Sequence, residues 1–227
     1  MSNGPRQRGM GTIGILSGPF SRYAAFTIAL LNTLKPPDTR LEYTQNTDIV
    51  GNMNLICRNM RGDWLWILGD DHVWEPDLLA RLMAHDVDVV VPLCLTRTAP
   101  FAPVVYSGEV EEGVYASAHD LPAGELVQVH AAGSAGMLVK RRVLDAIGDP
   151  WFSTDGTGMN EDLTFCRKVR DAGFDIYCDT SALLGHIGTM TVWPTYQDEK
   201  WKVELDVGNG NSLTLDYLPK PELAVVA

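Results

Sequence analysis

The sequence predicts an α/β fold with a central, mostly parallel sheet flanked by helices and a smaller mixed region after it. Three observations carry that expectation. Short runs such as TIGIL (Thr12–Leu16), WLWIL (residues 64–68) and VDVVV (residues 87–91) are apolar or nearly so along their length, as strands buried on both faces are. Segments with apolar residues at helical spacing lie between them, over residues 23–34, 48–60 and 76–83. Strand and helix alternate in this way through about residue 95, the pattern of a parallel sheet covered by helices.

Each element has a local reason. The first strand ends at Ser17-Gly18-Pro19, and the following helix is stopped by Pro36-Pro37. Residues 41–43 form a short second strand. The next helix carries Ile49, Met53, Ile56, Cys57 and Met60 on one face. The helix over 76–83 has Pro at an early position. Beyond residue 95 the pattern loosens. β-like pieces over 104–106 and 126–130 stand among Pro and Gly, residues 136–139 read as a strand, and Arg141–Ile147 reads as a short helix. A clear helix covers 161–172 and stops at Gly173, and a strand returns over 174–178. VELDVGNGNSLTLDYL near the end reads as a β-hairpin around residues 208–211. Residues 1–10 read as a loose polar tail, 11–190 as one catalytic domain dividing near residue 95, and 191–227 as an extension.

Bulk properties narrow the function classes. A net charge of −11 gains nothing from the general attraction to a phosphate backbone, so nucleic acid is disfavoured as a non-specific partner. Lys140, Arg141 and Arg142 form one local basic run. No apolar run approaches the ~20 residues of a membrane span, and the N-terminus lacks a signal peptide's apolar stretch, so a cytoplasmic protein is expected. Cys57, Cys94, Cys166 and Cys178 form no C-x-x-C pair and read as reduced, buried thiols.

Four stretches carry chemistry. In WLWILGDDHVWEPDLL (residues 64–79) a buried strand ends in Asp70, Asp71 and His72. Adjacent carboxylates repel each other unless a cation sits there. Hard divalent ions take oxygen ligands, and an imidazole tilts the choice toward Mn²⁺; a solvated turn is the other reading. In GMNEDLTFCRKVRDAGF (residues 158–174) Asp162 shares a helix face with Phe165, Cys166 and Val169, while Glu161 is rotated roughly 100° away. Both acids also complement a helix N-terminus. In HAAGSAGMLVKRR (residues 130–142) Gly133 and Gly136 let a ligand approach the backbone. In LLGHIG (residues 183–188) His186 is either a ligand or a satisfied structural residue.

The order of these stretches resembles the nucleotide-sugar glycosyltransferases of the GT-A fold, family-2-type enzymes above all, over roughly residues 10–190. The resemblance implies that the acidic turn is the family's DxD motif, which holds Mn²⁺ or Mg²⁺ on the donor diphosphate. Asp71, five residues before Pro76, matches its last Asp. His186 matches the later histidine that completes the metal site, with Asp70 and His72 as neighbours of the motif. Asp162 matches the base that deprotonates the acceptor hydroxyl, with Glu161 orienting the acceptor. Arg58-Asn59 matches a pair that contacts the nucleotide. By position, Ser17 and Asn46 contact the base or ribose, and Trp151 and Phe152 stack on a sugar ring or belong to the core. One departure stands out: Gly69 occupies the place of the motif's first Asp.

The resemblance further implies a UDP-sugar donor and inverting transfer to an acceptor hydroxyl on a glycan, a protein or a modified DNA base. A short chain without an anchor fits a phage-type enzyme acting in the host cytoplasm. Three other readings compete. A nucleotidyltransferase wants a basic Gly-rich loop after the first strand, where SGPFSRY offers only Arg22. A transferase acting on hydroxymethylated DNA conflicts with the acidic charge. A non-catalytic nucleotide-binding protein is favoured by Gly69 alone.

Overall fold

The computed structural model describes residues 9–17, 23–45, 48–111, 113–154 and 159–216. The chain divides into two compact units, one of residues 1–95 and 102–187, the other of residues 96–101 and 188–227.

The larger unit is built on an eight-stranded sheet. Its first half follows the predicted alternation: β1 (Thr12–Leu16), α1 (Ala24–Asn32), β2 (Arg40–Thr44), α2 (Ile49–Asn59) and β3 (Trp64–Gly69). Asp48 caps α2 by accepting the Gly51 N–H at 2.7 Å. A short β4 (His72–Trp74) precedes α3 (Leu78–Ala84) and β5 (Val89–Cys94). Helix α3 begins two residues after Pro76, so the proline precedes the helix instead of opening it.

Next come β6 (Val105–Glu111), β7 (Val114–Ser117), β8 (Leu126–Val129), β9 (Ala131–Ala132), β10 (Leu138–Lys140), α4 (Arg141–Ile147), α5 (Glu161–Asp171) and β11 (Ile176–His186). The sheet order is β2-β1-β3-β10-β5-β11-β4, with β8 also on β11. Strands β1, β2 and β3 are parallel. β10 runs against both β3 and β5, so β5 points the same way as β3, and β11 runs parallel to β5. The sheet is thus mostly parallel in strand direction, with β10, β4 and β8 reversed. One face packs Ile13, Trp66, Leu68, Leu79 and Leu82; the other packs Ile56, Leu65, Ile67, Phe165 and Val169. Strand β3 serves both faces, which is why its sequence is apolar without alternation. Strands β7, β6 and β9 form a separate small sheet.

In the smaller unit, β12 (Thr191–Gln197), β13 (Lys200–Gly208) and β14 (Asn211–Asp216) form an antiparallel meander. The expected hairpin is present: Asn209 and Gly210 both have positive φ, the two-residue turn whose twist suits a hairpin. Asn209 also ties residues 96–101 to this unit, donating to Thr98 Oγ1 and the Ala99 carbonyl. No helix among the described residues is long and apolar enough to cross a membrane.

Residues 1–8 lie outside the described residues, but the Gly9 carbonyl accepts the Trp64 indole N–H and the Met10 carbonyl accepts the Asp63 N–H.

Gly136 is a packing glycine. It has φ of +71° and carries the carbonyl that accepts the Trp66 indole N–H. A Cβ there would meet Pro92 at 2.6 Å, so protein packs against this side of its backbone. Gly136→Ala adds left-handed strain to a clash; chemical denaturation is expected to show a loss of about 2–4 kcal/mol.

Candidate active site

Ligands of open α/β sheets collect where parallel strands end. Here Ser17 follows the end of β1 and Asp70 the end of β3, while β5 ends at Cys94 and β11 at His186. Ser17 donates its hydroxyl to Asp70 Oδ2 at 2.6 Å, and the Asp70 N–H donates to the Leu16 carbonyl. These bonds fasten the acidic turn to the neighbouring strand.

Asp71 and His186 meet through strand pairing. β4 and β11 are antiparallel, with His72 directly opposite His186 and ring centroids 4.9 Å apart. The Ile187 N–H donates to the Asp71 carbonyl. His186 Nδ1 lies 3.0 Å from the Leu95 carbonyl, which can only accept, so Nδ1 carries a hydrogen. Its Nε2 faces Asp71 Oδ2 at 3.2 Å. The Asp71 carboxylate, then the Cys94 side chain, push His186 up to about 10: this spot favours a cation, here a proton. His72 Nδ1 accepts the Gly69 N–H at 3.0 Å, and its Nε2 is 3.8 Å from Asp71 Oδ1. The ligating atoms of His72, Cys94 and His186 lie within 4.8 Å of one another. Nitrogen and sulfur donors gathered in this way, with the Asp71 carboxylate against both histidines, fit a divalent ion. A Cβ at Gly69 would meet Asp71 Oδ1 at 2.7 Å, so a side chain there would shift the Asp71 carboxylate.

The second cluster surrounds Asp162, in the first turn of α5. Asn160 caps the helix, accepting the Leu163 N–H at 3.0 Å. Phe165, Cys166 and Val169 are fully buried on the face that Asp162 opens, as their spacing predicts. The hydroxyl and backbone N–H of Ser134 face Asp162 and favour its charged form, yet its Oδ1 is buried with no partner. Burial raises its pKa to about 6, against the Ser134 bonds and with help from Glu161. Gly133 lies beside it, where a Cβ would come within 3.5 Å of Asp162 Oδ2 and 2.5 Å of Val104. Val104 links the two clusters: its N–H donates to the Cys94 carbonyl and its carbonyl accepts the Gly133 N–H. Two such ladder spacings place these backbones about 10 Å apart.

Residues 27–203 match the family described as glycosyltransferase like family 2. The chain belongs to this family. Among solved structures, A197 from STIV is similar with a TM-score of 0.51 and 16% identity, covering 88% of this chain and 95% of that one. GalNAc-T7, whose structure holds UDP, GalNAc and Mn²⁺, gives a TM-score of 0.49 and 14% identity, covering 76% of this chain and 37% of that one. A search of curated proteins returns no match. The family and the sheet together make the fold GT-A.

Within this family 2 glycosyltransferase the other expected residues fall in different places. Arg58 ends α2, at the amino-terminal edge of the sheet. It pairs with Asp149 at 2.6 Å, and Asn59 donates to Glu42, so the expected nucleotide-contacting pair is not brought to the carboxyl edge. Phe152 is fully buried, stacked on Phe165 at 4.4 Å, with its backbone clasped by Asn54. It is a core aromatic and presents no surface to a sugar. Trp151 is half-buried and donates its indole N–H to the Leu144 carbonyl. Asn46 lies outside the described residues. Lys140 bonds Asp86, Arg142 pairs with Asp88 and Arg141 donates to the Gly62 carbonyl, so the local basic run is engaged within the protein.

Sequence reasoning missed Ser134 and Cys94. Both carried a signal: Ser134 sits between the two glycines of the small-residue run, and Cys94 closes a buried parallel strand. The core assignment of Phe152 is testable. Phe152→Ala is expected to cost about 3–5 kcal/mol in urea unfolding, with no selective effect on sugar binding by the remaining folded protein.

Proposed function

We propose that the protein transfers a sugar from a nucleoside diphosphate sugar, with uridine as the base, to an acceptor hydroxyl with inversion. The observation that carries this reading is Asp162: a buried carboxylate oxygen without a partner, with a pKa near 6, in a chain of a glycosyltransferase family. A base poised near neutral pH is what removal of a hydroxyl proton needs.

In this reading Oδ1 of Asp162 takes the acceptor's proton. The acceptor oxygen bonds to the anomeric carbon as the bond from that carbon to the diphosphate breaks, and the nucleoside diphosphate leaves. Ser134 holds the other carboxylate oxygen and so aims Oδ1. Glu161, on the adjacent helix position, orients the acceptor. Asp71 and His186 would hold the divalent ion that the family's pattern calls for, and Asp70 and Ser17 fix the turn beside the donor. When bound, such an ion neutralises charge on the departing diphosphate.

The test is a calorimetric titration of UDP with Mn²⁺ and again with EDTA. Binding that needs the ion supports the donor site. Binding indifferent to EDTA removes the metal from the mechanism, and no binding in either buffer removes uridine as the donor base.

A further inference from the structure

The metal cluster contains a donor that the acidic-turn pattern does not include. Cys94 closes β5, and its register partner on β11 is Leu184, two residues before His186. Its sulfur is buried and lies within 4.8 Å of the ligating nitrogens of both His72 and His186. It points the same way as His186: the thiol donates weakly to the Leu95 carbonyl at 3.5 Å, the carbonyl that also receives His186 Nδ1–H. One backbone oxygen therefore fixes both side chains, and fixes His186 in the tautomer that ligates through Nε2.

His72 differs. Its Nδ1 is occupied by the Gly69 N–H, so in its neutral form Nε2 carries the hydrogen. His72 is thereby a donor facing the cluster, whereas Asp71, His186 and Cys94 are the groups that give lone pairs to an ion once it displaces the protons on His186 Nε2 and the Cys94 thiol. Ligands at zinc bond lengths of about 2.0–2.3 Å stand roughly 3.4–3.7 Å apart around a tetrahedral ion. Asp71 and His186 already stand at 3.2 Å, and the sulfur lies within 4.8 Å of the His186 ligating nitrogen, so it must close in on that nitrogen to share an ion with it.

We propose that Cys94 Sγ is a ligand of the ion at this site, which therefore selects a thiophilic divalent ion of the Zn²⁺ class over Mg²⁺. Mg²⁺ demands a nearly all-oxygen octahedron, whereas one carboxylate, one imidazole and one thiolate make a three-ligand set with a fourth position open to substrate oxygen. Binding releases the thiol proton and the proton on His186 Nε2 to solvent. The inference rests on the reading of the acidic turn as a metal site, and it replaces the hard-ion expectation drawn from the sequence.

Anaerobic titration of the metal-free full chain with Co²⁺ tests it. The expected spectrum has an intense near-ultraviolet thiolate-to-cobalt charge-transfer band and strong tetrahedral visible bands. One equivalent of Zn²⁺ erases both, and a thousandfold excess of Mg²⁺ does not. Cys94→Ser is expected to lose the charge-transfer band and to bind Zn²⁺ at least tenfold more weakly. Co²⁺ bound without the band in the wild-type protein overturns the sulfur ligand and leaves the metal site standing. A band that persists in Cys94→Ser assigns the sulfur to another cysteine and also overturns it. Failure of Co²⁺ and Zn²⁺ to bind overturns the inference and the metal reading together. The wild-type spectrum decides whether sulfur ligates even if the variant does not fold.

Discussion

Asp162→Asn is expected to lower transfer by about 10²–10⁴-fold, the contribution of a positioned general base, while leaving affinity for the donor nucleotide within about twofold of wild type. The substitution keeps size and shape and removes only the ability to accept a proton. The same variant is expected to be more stable at neutral pH. The pKa of Asp162 is raised to about 6 from 3.8, mainly by burial, so the fold binds a proton there more readily than the unfolded chain does. Its contribution to stability therefore improves as pH falls from about 6 toward 4, and at pH 7 the ionised group is a net cost. Removing the charge should raise stability at pH 7 by about 1–3 kcal/mol, read as a higher midpoint in urea. Lost activity in a protein that unfolds later cannot come from misfolding. Loss of both activity and stability would instead mark Asp162 as structural, and unchanged turnover would put the base elsewhere.

The wild-type pH profile is an independent check on the same group. kcat/KM is expected to fall about tenfold per pH unit below roughly pH 6, as Asp162 is protonated, and to level off above it. The residual activity of Asp162→Asn should show no such limb. A profile flat down to pH 4.5 would contradict the role assigned to Oδ1.

The fold was legible where one physical signal dominated. β1, β3, α2 and α5 were read within a residue or two because each is a continuous buried run or a strong amphipathic face with a cap. β11 was read only to Cys178, since Asp179-Thr180-Ser181 looks like the end of a strand. In the structure Asp179 accepts N–H bonds from Ser181 and Ala182 and pairs with His85, holding an irregularity after which the strand resumes. That resumption carries His186 to the acidic turn, so the geometry of the metal cluster depends on a tertiary contact that periodicity does not record. β4 has three residues and exists only because β11 is there to pair with it. β12 was missed because Pro194 and its polar neighbours obscure a strand. Arg58 was misplaced for a related reason: the sequence shows that it ends a helix, but only the topology shows which edge of the sheet that end reaches.

Asp71→Ala is expected to weaken metal-dependent binding of UDP by at least about 100-fold, because the loss of a ligand exceeds the 10–100-fold typical of removing a ligand's outer support. His186→Ala should do the same, since the two side chains share one centre at 3.2 Å. Asp70→Asn should do much less. Its carboxylate receives the Ser17 hydroxyl, and an amide oxygen can still accept that bond. In EDTA all three variants and the wild-type protein should bind UDP alike, because what remains is contact with the base and ribose. This pattern separates a ligand from a merely buried acid. If Asp71 only balanced the charge of His186, its removal would leave His186 Nε2 without its carboxylate, and Asp71→Ala would lose stability with no change in the difference between Mn²⁺ and EDTA. Calorimetry on the four proteins in both buffers distinguishes the two, and the double variant Asp71→Ala/His186→Ala should bind no more weakly than either single one, since one ion cannot be lost twice.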